Sequence, residues 1–296
     1  MTRVILTGGI GNQLFKALGS IGRAGVKIED LTFDISWFVN DNFSSALTAK
    51  RNFELGNFPS FSSIPTEVLS HSVSSMESRL ISRSPSLMRR LGYWTPEGPS
   101  LNTRRYPRVV KNDFEDIACL PSPSQLRELL KFNNVSSEWL ESMMSLALSQ
   151  SPIAIHVRRA DYLGFAQVYP RLGIEYYTEA IKCMKLRLGS RPVWLFSDQP
   201  EFVVEEFRGA INFDRVVSPP DRTSSVEILE LFATTSGVIT ANSTFSWWGA
   251  YIGYLEGNVQ HVIMPERFTY LKIDPGIKLR VRDWQVLPIG LGETRK

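Results

Sequence analysis

Ile153-Ala-Ile-His-Val-Arg-Arg-Ala-Asp-Tyr162 is an apolar run, interrupted by one histidine, that leads directly into two arginines, an aspartate and a tyrosine. If it forms a strand, side chains alternate between two faces, so that His156 and Arg158 share one face and Arg159 points away. A buried strand should not end in two cations unless an anionic group meets them. Because a guanidinium matches phosphate oxygens, the stretch favours a phosphorylated ligand. The alternative is a strand end that frays into solvent.

Strands alternate with helices on both sides of this stretch, which predicts parallel β-α-β units. Two such runs flank a segment between about residues 120 and 151, and Pro152 follows this segment. The pattern therefore predicts an α/β protein with two Rossmann-like domains, 1–150 and 151–296, facing a central cleft. We expect the Ser- and Arg-rich segment near 73–91 to be a surface element or a mobile loop, and the chain after Pro265 to be an irregular tail.

Three predicted strands of the second domain end in polar residues, where ligands bind in open parallel sheets. These groups are His156, Arg158, Arg159 and Asp161; Ser197 and Asp198; and Asn242, Ser243 and Thr244. Ser243 or Thr244 could cap a helix, whose first N–H groups would provide a second site for an anion. The arginines and this helix start would both bind an anion at the same edge of the sheet, which counts against the alternative of a strand end that frays into solvent. Ser197 and Asp198 could equally cap the following helix, and Trp247 and Trp248 fit core packing better than ligand stacking.

Gly8-Gly-Ile-Gly-Asn-Gln13 follows the first predicted strand and precedes a helical pattern. Backbone N–H groups at such a turn can bind an anion or a sugar hydroxyl, although many such turns bind nothing. The spacing differs from the G-x-G-x-x-G of dinucleotide-binding proteins. The two amides of Asn12 and Gln13 favour a hydrogen-bonding role.

Composition narrows the class of protein further. The 296 residues include 43% hydrophobic residues and carry a net charge of +3. This charge permits a polyanionic ligand or a peripheral contact with a membrane, but it disfavours a nucleic-acid binder. Two cysteines and three histidines form no disulfide or zinc pattern. Without a long apolar run or a signal-peptide pattern, we expect a soluble cytoplasmic protein.

No metal or cofactor is expected from the sequence. A D-x-D pair is absent, and the nearest approach to one is Asp113-x-Glu115 in the first half. Divalent metal ions that hold a sugar diphosphate prefer carboxylate oxygens. The arginines and the predicted helix start would therefore have to neutralise a leaving diphosphate, which favours metal-independent glycosyl transfer.

Several motifs, in the right order, resemble those of the α-1,2-fucosyltransferases of glycosyltransferase family eleven. The resemblance spans most of the chain and rests on Gly8-Gly-Ile-Gly-Asn-Gln-Leu-Phe15, Asp34-Ile-Ser-Trp-Phe38, Phe53-Glu-Leu55, Gly92-Tyr-Trp94, His156-Val-Arg-Arg-Ala-Asp-Tyr162, Leu172-Gly-Ile-Glu-Tyr-Tyr177, Phe196-Ser-Asp198 and Asn242-Ser-Thr-Phe-Ser-Trp-Trp-Gly-Ala250.

The resemblance implies a GT-B fold and inverting transfer of L-fucose from GDP-fucose to the 2-hydroxyl of a β-galactoside. The acceptor would be a glycan or a lipid-linked oligosaccharide. The resemblance assigns catalysis to Arg158, Asn12 and Asp161, and it implies that Arg158 binds the diphosphate. The implied donor-binding residues are His156, Arg158, Arg159, Ser197, Asp198, Asn242, Ser243, Thr244, Phe245 and Ser246. The implied acceptor-side residues are Gly9, Gly11, Gln13 and Asp34.

Three departures from the family pattern leave alternatives open. Ala160 replaces a common glycine, Gln199 replaces a common aspartate, and Thr234–Gly237 lacks the usual cysteine and basic residues. The donor could instead be another GDP-deoxyhexose, such as GDP-colitose. The chain could also be a catalytically silent protein that binds GDP-sugars or glycans. Asp161 and Asp34 are candidates for the group that removes the acceptor proton, and a weak or absent base is the alternative.

Overall fold

The computed structural model describes residues 1–40, 51–96, 98–101, 107–133, 137–159 and 166–290. The chain forms two compact units, Met1–Lys131 and Phe132–Lys296. Their division falls inside the interval 120–151 in which the sequence places the domain boundary. A helix at 138–150 belongs to the second unit, whereas the predicted division at 150 places it in the first.

The first unit is built on five parallel strands in the order β3-β2-β1-β5-β4. The strands are β1 (Thr2–Ile5), β2 (Leu31–Asp34), β3 (Thr66–Glu67), β4 (Tyr93–Trp94) and β5 (Val109–Val110). The α-helices of this unit are α1 (Ile10–Gly22), α2 (Ser36–Val39), α3 (Pro59–Ser62), α4 (His71–Arg83), α5 (Pro85–Arg90) and α6 (Pro123–Leu129).

The second unit contains six parallel strands in the order β11-β10-β9-β6-β7-β8. The strands are β6 (Ile153–Val157), β7 (Val193–Ser197), β8 (Arg215–Val216), β9 (Gly237–Ile239), β10 (His261–Pro265) and β11 (Gln285–Leu287). Its α-helices are α7 (Glu138–Gln150), α8 (Ile174–Leu188), α9 (Pro200–Glu206), α10 (Ser225–Ala233), α11 (Thr244–Glu256) and α12 (Pro275–Lys278).

Strand β6 lies at the centre of the second sheet, and all five of its residues are buried. A parallel sheet is covered by helices on both faces, which explains why its central strands are apolar on both sides. Ile153, Ile155 and Val157 belong to one core cluster with residues of α8, β7 and β10. The register aligns Val157 with Ser197, so the chain leaves β6 and β7 at the same edge.

The parallel-sheet α/β fold of both units confirms the predicted fold class. The predicted irregular tail is wrong, because residues after Pro265 form α12 and then β11, which pairs with β10. The short strands β3, β4 and β5 were not predicted because two residues carry no periodicity. In the described part of the chain, no helix is long and apolar enough to span a membrane.

Candidate active site

Two neighbouring strand ends bring Arg158 and Asp198 together. Nη1 of Arg158 lies 3.0 Å from Oδ2 of Asp198, and Oδ1 of Asp198 accepts the backbone N–H of Arg159 at 2.9 Å. The Arg158 and Asp198 side chains are 15% and 19% exposed, so the pair is reached by solvent while its geometry is constrained. Asp198 thus fixes the position of the first arginine and the backbone of the second.

Arg159 points into the protein and is 1% exposed. Its Nε donates to Glu206 Oε2 at 2.8 Å, and its Nη2 donates to the carbonyl of Leu172 at 3.0 Å. The guanidinium carbon lies 5.6 Å from the ring centre of Phe207. The prediction that Arg159 points away from Arg158 is confirmed, and its partner is the carboxylate of Glu206. Arg159 links the end of β6 to α9 and to the residues that precede α8.

His156 is buried beneath this pair and packs against aromatic rings. Its ring centre lies 5.4 Å from that of Phe245 and 6.3 Å from that of Phe232. The pKa of His156 is lowered to about 4, mainly because the imidazole is buried; the Asp198 carboxylate opposes this shift, and the Arg158 charge adds to it. The imidazole is therefore neutral at pH 7. Its Nδ1 is buried and has no hydrogen-bond partner among the residues that the structure describes.

Helix α11 begins next to these residues, with Ser243 as its N-cap. The Ser243 side chain makes no capping hydrogen bond, so the predicted side-chain cap is not formed. Ser246 holds the turn instead, since its Oγ accepts the Ala241 N–H at 3.2 Å and donates to the Ser243 carbonyl at 3.3 Å. Thr244 is the first residue of the helix. The first N–H groups of such a helix have no partner within it and attract anions.

Asn242 is buried and joins two loops that follow strands of the sheet. Its Nδ2 donates to the carbonyls of Pro170 and Phe268, at 2.9 and 3.1 Å. The loops also meet directly, because the Tyr270 N–H donates to the Val168 carbonyl at 2.7 Å. Asn242 therefore shapes the rim of the site, and its predicted contact with the donor stays a prediction.

Two other expectations for the second unit have different outcomes. Ser197 Oγ accepts the N–H of Gln199 at 3.1 Å, a local turn bond just before α9, whereas Asp198 binds the arginines. Trp247 and Trp248 are fully buried, and Trp247 Nε1 donates to the Leu279 carbonyl at 2.8 Å. Core packing of the two tryptophans is confirmed.

The glycine turn of the first unit is held by Gln13, which is fully buried. Its Nε2 donates to the carbonyls of Gly8 and Asn52, at 3.1 and 2.9 Å. Its Oε1 accepts the N–H groups of Glu54 and Leu55, at 3.0 and 3.2 Å. The amide of Gln13 thus ties the turn to the Phe53-Glu-Leu55 motif, a connection that neither motif indicates alone.

The turn itself requires glycine at its first position. Gly8 has a φ of +80°, and a Cβ added there would lie 2.8 Å from Asn12 Nδ2. Gly9 is the extended N-cap of α1, and Gly11 is buried in its first turn. The turn therefore places the side-chain amide of Asn12, at the start of α1, close to the backbone of Gly8.

Asp34 is buried at the end of β2 and both of its oxygens are bonded to protein groups. Oδ2 accepts from Arg3 Nη1 at 2.9 Å, and Oδ1 accepts from the Ser36 N–H at 3.0 Å and from the Ser36 hydroxyl. Arg3 also pairs with Glu67 and Glu77. Asp34 thus holds β1 and β2 in place. Asp161, the other carboxylate candidate, lies outside the described residues.

Sequence reasoning missed two features near these sites. Glu206, the partner of Arg159, is 47 residues further along the chain, and its sequence context carries no signal. In the first unit, Lys16 on α1 pairs with Asp113, and burial together with Asp113 raises the pKa of Glu115 to about 7. Within the described ranges, no group of three or more His, Cys, Asp or Glu side chains is arranged to hold a metal ion.

Comparisons with known proteins show which sequences and structures the chain resembles. Residues 125–266 match the model of glycosyl transferase family 11. The O-antigen biosynthesis glycosyltransferase WbnK of Escherichia coli is 24% identical over 293 residues, covering 89% of this chain and 93% of that protein. The alpha-1,2-colitosyltransferase of Escherichia coli is 28% identical over 138 residues, covering 45% of this chain and 47% of that protein.

A solved structure shares the fold. The NodZ alpha-1,6-fucosyltransferase, co-crystallised with GDP, superposes with a TM-score of 0.52 at 15% identity, covering 88% of this chain and 93% of that chain. The GT-B fold class implied by the motifs is confirmed. The matched stretch 125–266 contains Arg158, Asp198 and the start of α11, and over this stretch it confirms the resemblance to glycosyl transferase family 11 that the sequence motifs indicate.

Proposed function

We propose that this protein transfers L-fucose from GDP-fucose to the 2-hydroxyl of a β-galactoside in a glycan or lipid-linked oligosaccharide. One observation carries the proposal: Arg158 is held by Asp198 at the carboxyl end of β6, inside the stretch that matches the family model. An arginine with a constrained orientation and partial exposure is suited to bind a diphosphate.

The proposed reaction proceeds with inversion in one displacement. The acceptor hydroxyl oxygen forms a bond to the anomeric carbon while the bond from that carbon to the β-phosphate oxygen breaks. The electron pair of the broken bond goes to GDP, so negative charge grows there as the sugar becomes oxocarbenium-like. Arg158 and the N–H groups at the start of α11 would stabilise that charge.

The geometry around Arg158 supports this electrostatic role. His156 stays neutral at pH 7, because its pKa is lowered to about 4, so the imidazole does not add a second positive charge beside Arg158. Arg159 is fully engaged with Glu206 and two backbone carbonyls, which suits it to a positioning role. We therefore assign the diphosphate contact to Arg158. We assign to Arg159 the support of the Arg158 backbone.

The acceptor proton needs a destination in this reaction. Both carboxylate oxygens of Asp34 are already bonded to Arg3 and Ser36. Asp161 of the His156-Val-Arg-Arg-Ala-Asp161 motif is the carboxylate that we would test first. A reaction that needs only a weak base would leave an Asp161→Asn variant with most of its turnover.

Metal independence is part of the proposal, because cationic groups on the protein would neutralise the leaving diphosphate. Turnover should be unchanged by a chelator such as EDTA. Loss of turnover with EDTA, followed by recovery with Mg²⁺ or Mn²⁺, would overturn this part and leave the donor assignment standing.

A second donor is favoured by one observation, the match of 138 residues to a protein named alpha-1,2-colitosyltransferase. Transfer of colitose from GDP-colitose would use the same contacts to the diphosphate. The two donors differ in the sugar, so the choice between them depends on contacts outside the arginine pair.

The test is to incubate the purified protein with GDP-fucose or GDP-colitose and a panel of β-galactosides. GDP release is measured, and the linkage of any product is determined by NMR. We expect release from GDP-fucose in the presence of a β-galactoside and a product linked at the 2-hydroxyl. Faster release from GDP-colitose would support the second donor. GDP binding without sugar transfer from either donor to any acceptor would indicate a silent binding protein.

A further inference from the structure

Helices α4 and α5 of the first unit present aliphatic side chains to solvent. Ser84 follows α4 directly and its N–H donates to the Leu80 carbonyl, so the two helices are consecutive with no intervening loop. The exposed fractions lie between 43% and 57% for five apolar residues of this region: Val73, Met76, Leu80, Leu87 and Leu91. Exposed apolar residues grouped in this way mark surfaces that bind a partner or a membrane. We call these two helices and Leu91 the α4–α5 face.

The apolar residues of α4 form a stripe on one side of the helix. At 3.6 residues per turn, Val73, Met76 and Leu80 point within roughly 60° of one another. Glu77 and Ile81 occupy the buried side and are less than a tenth exposed. Glu77 accepts from Arg3 and from the Tyr93 hydroxyl, which fixes α4 to the sheet. The helix is therefore held by one side while its apolar stripe remains in solvent.

The charge on helices α4 and α5 is mostly positive. Between residues 68 and 96 the sequence contains four arginines, Arg79, Arg83, Arg89 and Arg90, and a single acid, Glu77. Glu77 is buried and paired with Arg3, so it offers no counter-charge at the surface. Lys111 adds a further cation, because its Nζ donates to Ser78 Oγ on α4 at 3.1 Å.

We propose that the α4–α5 face docks on an anionic membrane surface. Amphipathic helices that carry arginines beside exposed aliphatic side chains lie at the boundary between headgroups and acyl chains. The arginines would bind anionic headgroups, and the aliphatic side chains would enter the acyl region. A nucleic acid would satisfy the arginines alone and would leave the aliphatic stripe in water. The proposal does not depend on which sugar is transferred.

Vesicle co-sedimentation of the full-length protein tests this docking directly. The probes are vesicles of phosphatidylcholine alone and vesicles that also contain phosphatidylglycerol. We expect binding to the anionic vesicles only, and weaker binding at higher salt because surface charges are screened. An Arg83→Gln/Arg90→Gln variant should lower the partition coefficient by roughly 30-fold, since each cation near the surface contributes about fivefold. A Met76→Gln/Leu80→Gln variant should lower it by at least about tenfold.

A matched control comes from the second unit. Leu148 and Leu186 are exposed on α7 and α8, and a Leu148→Gln/Leu186→Gln variant should bind the vesicles as the wild type does. All variants should unfold at the temperature of the wild type, since the changed side chains lie on the surface. Equal binding to neutral vesicles, or unchanged binding by both α4–α5 variants, would overturn the proposal. So would a dimer in solution that Met76→Gln/Leu80→Gln dissociates while no vesicle binding is seen, because the partner would then be a second copy of the chain.

Discussion

Asp198 and Arg158 form an ion pair across two neighbouring strand ends, with 3.0 Å between Oδ2 and Nη1. The other oxygen of Asp198 accepts the backbone N–H of Arg159. One carboxylate thus fixes the guanidinium proposed to bind the donor and the backbone that leads to it. Preorganised charge of this kind is worth more than charge on a mobile side chain, because little reorganisation is needed during the reaction.

Replacing Asp198 with asparagine tests the importance of this pair. Asp198→Asn keeps an oxygen for the Arg159 N–H but removes the charge that orients Arg158. We expect kcat/KM for GDP-fucose to fall by roughly 10- to 100-fold, the range for one hydrogen bond to a charged group. Glu201→Gln, an exposed change on α9, is the control. Native kinetics in Asp198→Asn would show that Arg158 is oriented by other contacts.

Replacing Glu206 with glutamine should destabilise the second unit. Arg159 is 1% exposed, and Glu206→Gln would leave the positive charge of Arg159 buried without its carboxylate partner. Breaking a buried pair costs about 3–5 kcal/mol, and a loss in this range should appear in urea unfolding. Glu205→Gln on the same helix removes an exposed pair with Arg208 and should cost less than about 1 kcal/mol. Equal losses in both variants would contradict the bracing role of Arg159.

Acid should destabilise the protein partly through His156. The native pKa is lowered to about 4, while the unfolded chain titrates near pH 6.5. Between these pH values the unfolded state binds more protons, so stability is complete above pH 6.5 and is lost as the pH falls towards 4. The contribution is on the order of 3 kcal/mol at most.

A His156→Gln variant removes this titration, since glutamine stays neutral at every pH. We expect its free energy of unfolding to fall less between pH 7 and pH 4 than that of the wild type, as measured by urea unfolding at several pH values. Parallel pH curves for the two proteins would show that His156 does not titrate differently on folding.

The glycine turn of the first unit should depend on Gln13. Gln13→Leu fills a similar volume but leaves the N–H groups of Glu54 and Leu55 and the carbonyls of Gly8 and Asn52 without their partner. Each buried group left unpaired costs about 1–3 kcal/mol, so the first unit should unfold at a clearly lower urea concentration. Gln125→Leu is an informative comparison, because its bonds lie at an exposed helix start. A Gln13→Leu variant as stable as Gln125→Leu would refute the role of the Gln13 amide.

The sequence was sufficient to predict the regular elements of the second unit from α7 to β10, because most of these strands and helices are long enough to show periodicity. Strand β6 and its two arginines are the clearest example, since alternation alone separates Arg158 from Arg159. The Ser-x-x-Glu spacing of Ser224 and Glu227 is typical of a capping box, and the box is formed. Local patterns of this kind are read directly from neighbouring residues.

Other parts of the structure could not be predicted because they depend on residues distant in the chain. The pairing of Arg159 with Glu206 spans 47 positions, and the bonds of Asn242 join loops around Pro170 and Phe268. Ser243 resembles a capping residue by its type and place, but its side chain makes no capping bond. Which partner such a polar side chain takes is decided by tertiary packing.

The donor kinetics of Arg158 variants test the central claim most directly. The measurement is GDP release from GDP-fucose with a β-galactoside acceptor, for the wild type, Arg158→Lys and Arg158→Ala, together with GDP affinity and the temperature of unfolding. Arg158→Ala should lower kcat/KM by roughly 100- to 1000-fold, as expected when a preorganised donor to a developing charge is removed. Arg158→Lys should recover only part of this loss, because an ammonium cannot reproduce the planar fork. Near-native turnover in a folded Arg158→Ala variant would contradict the account.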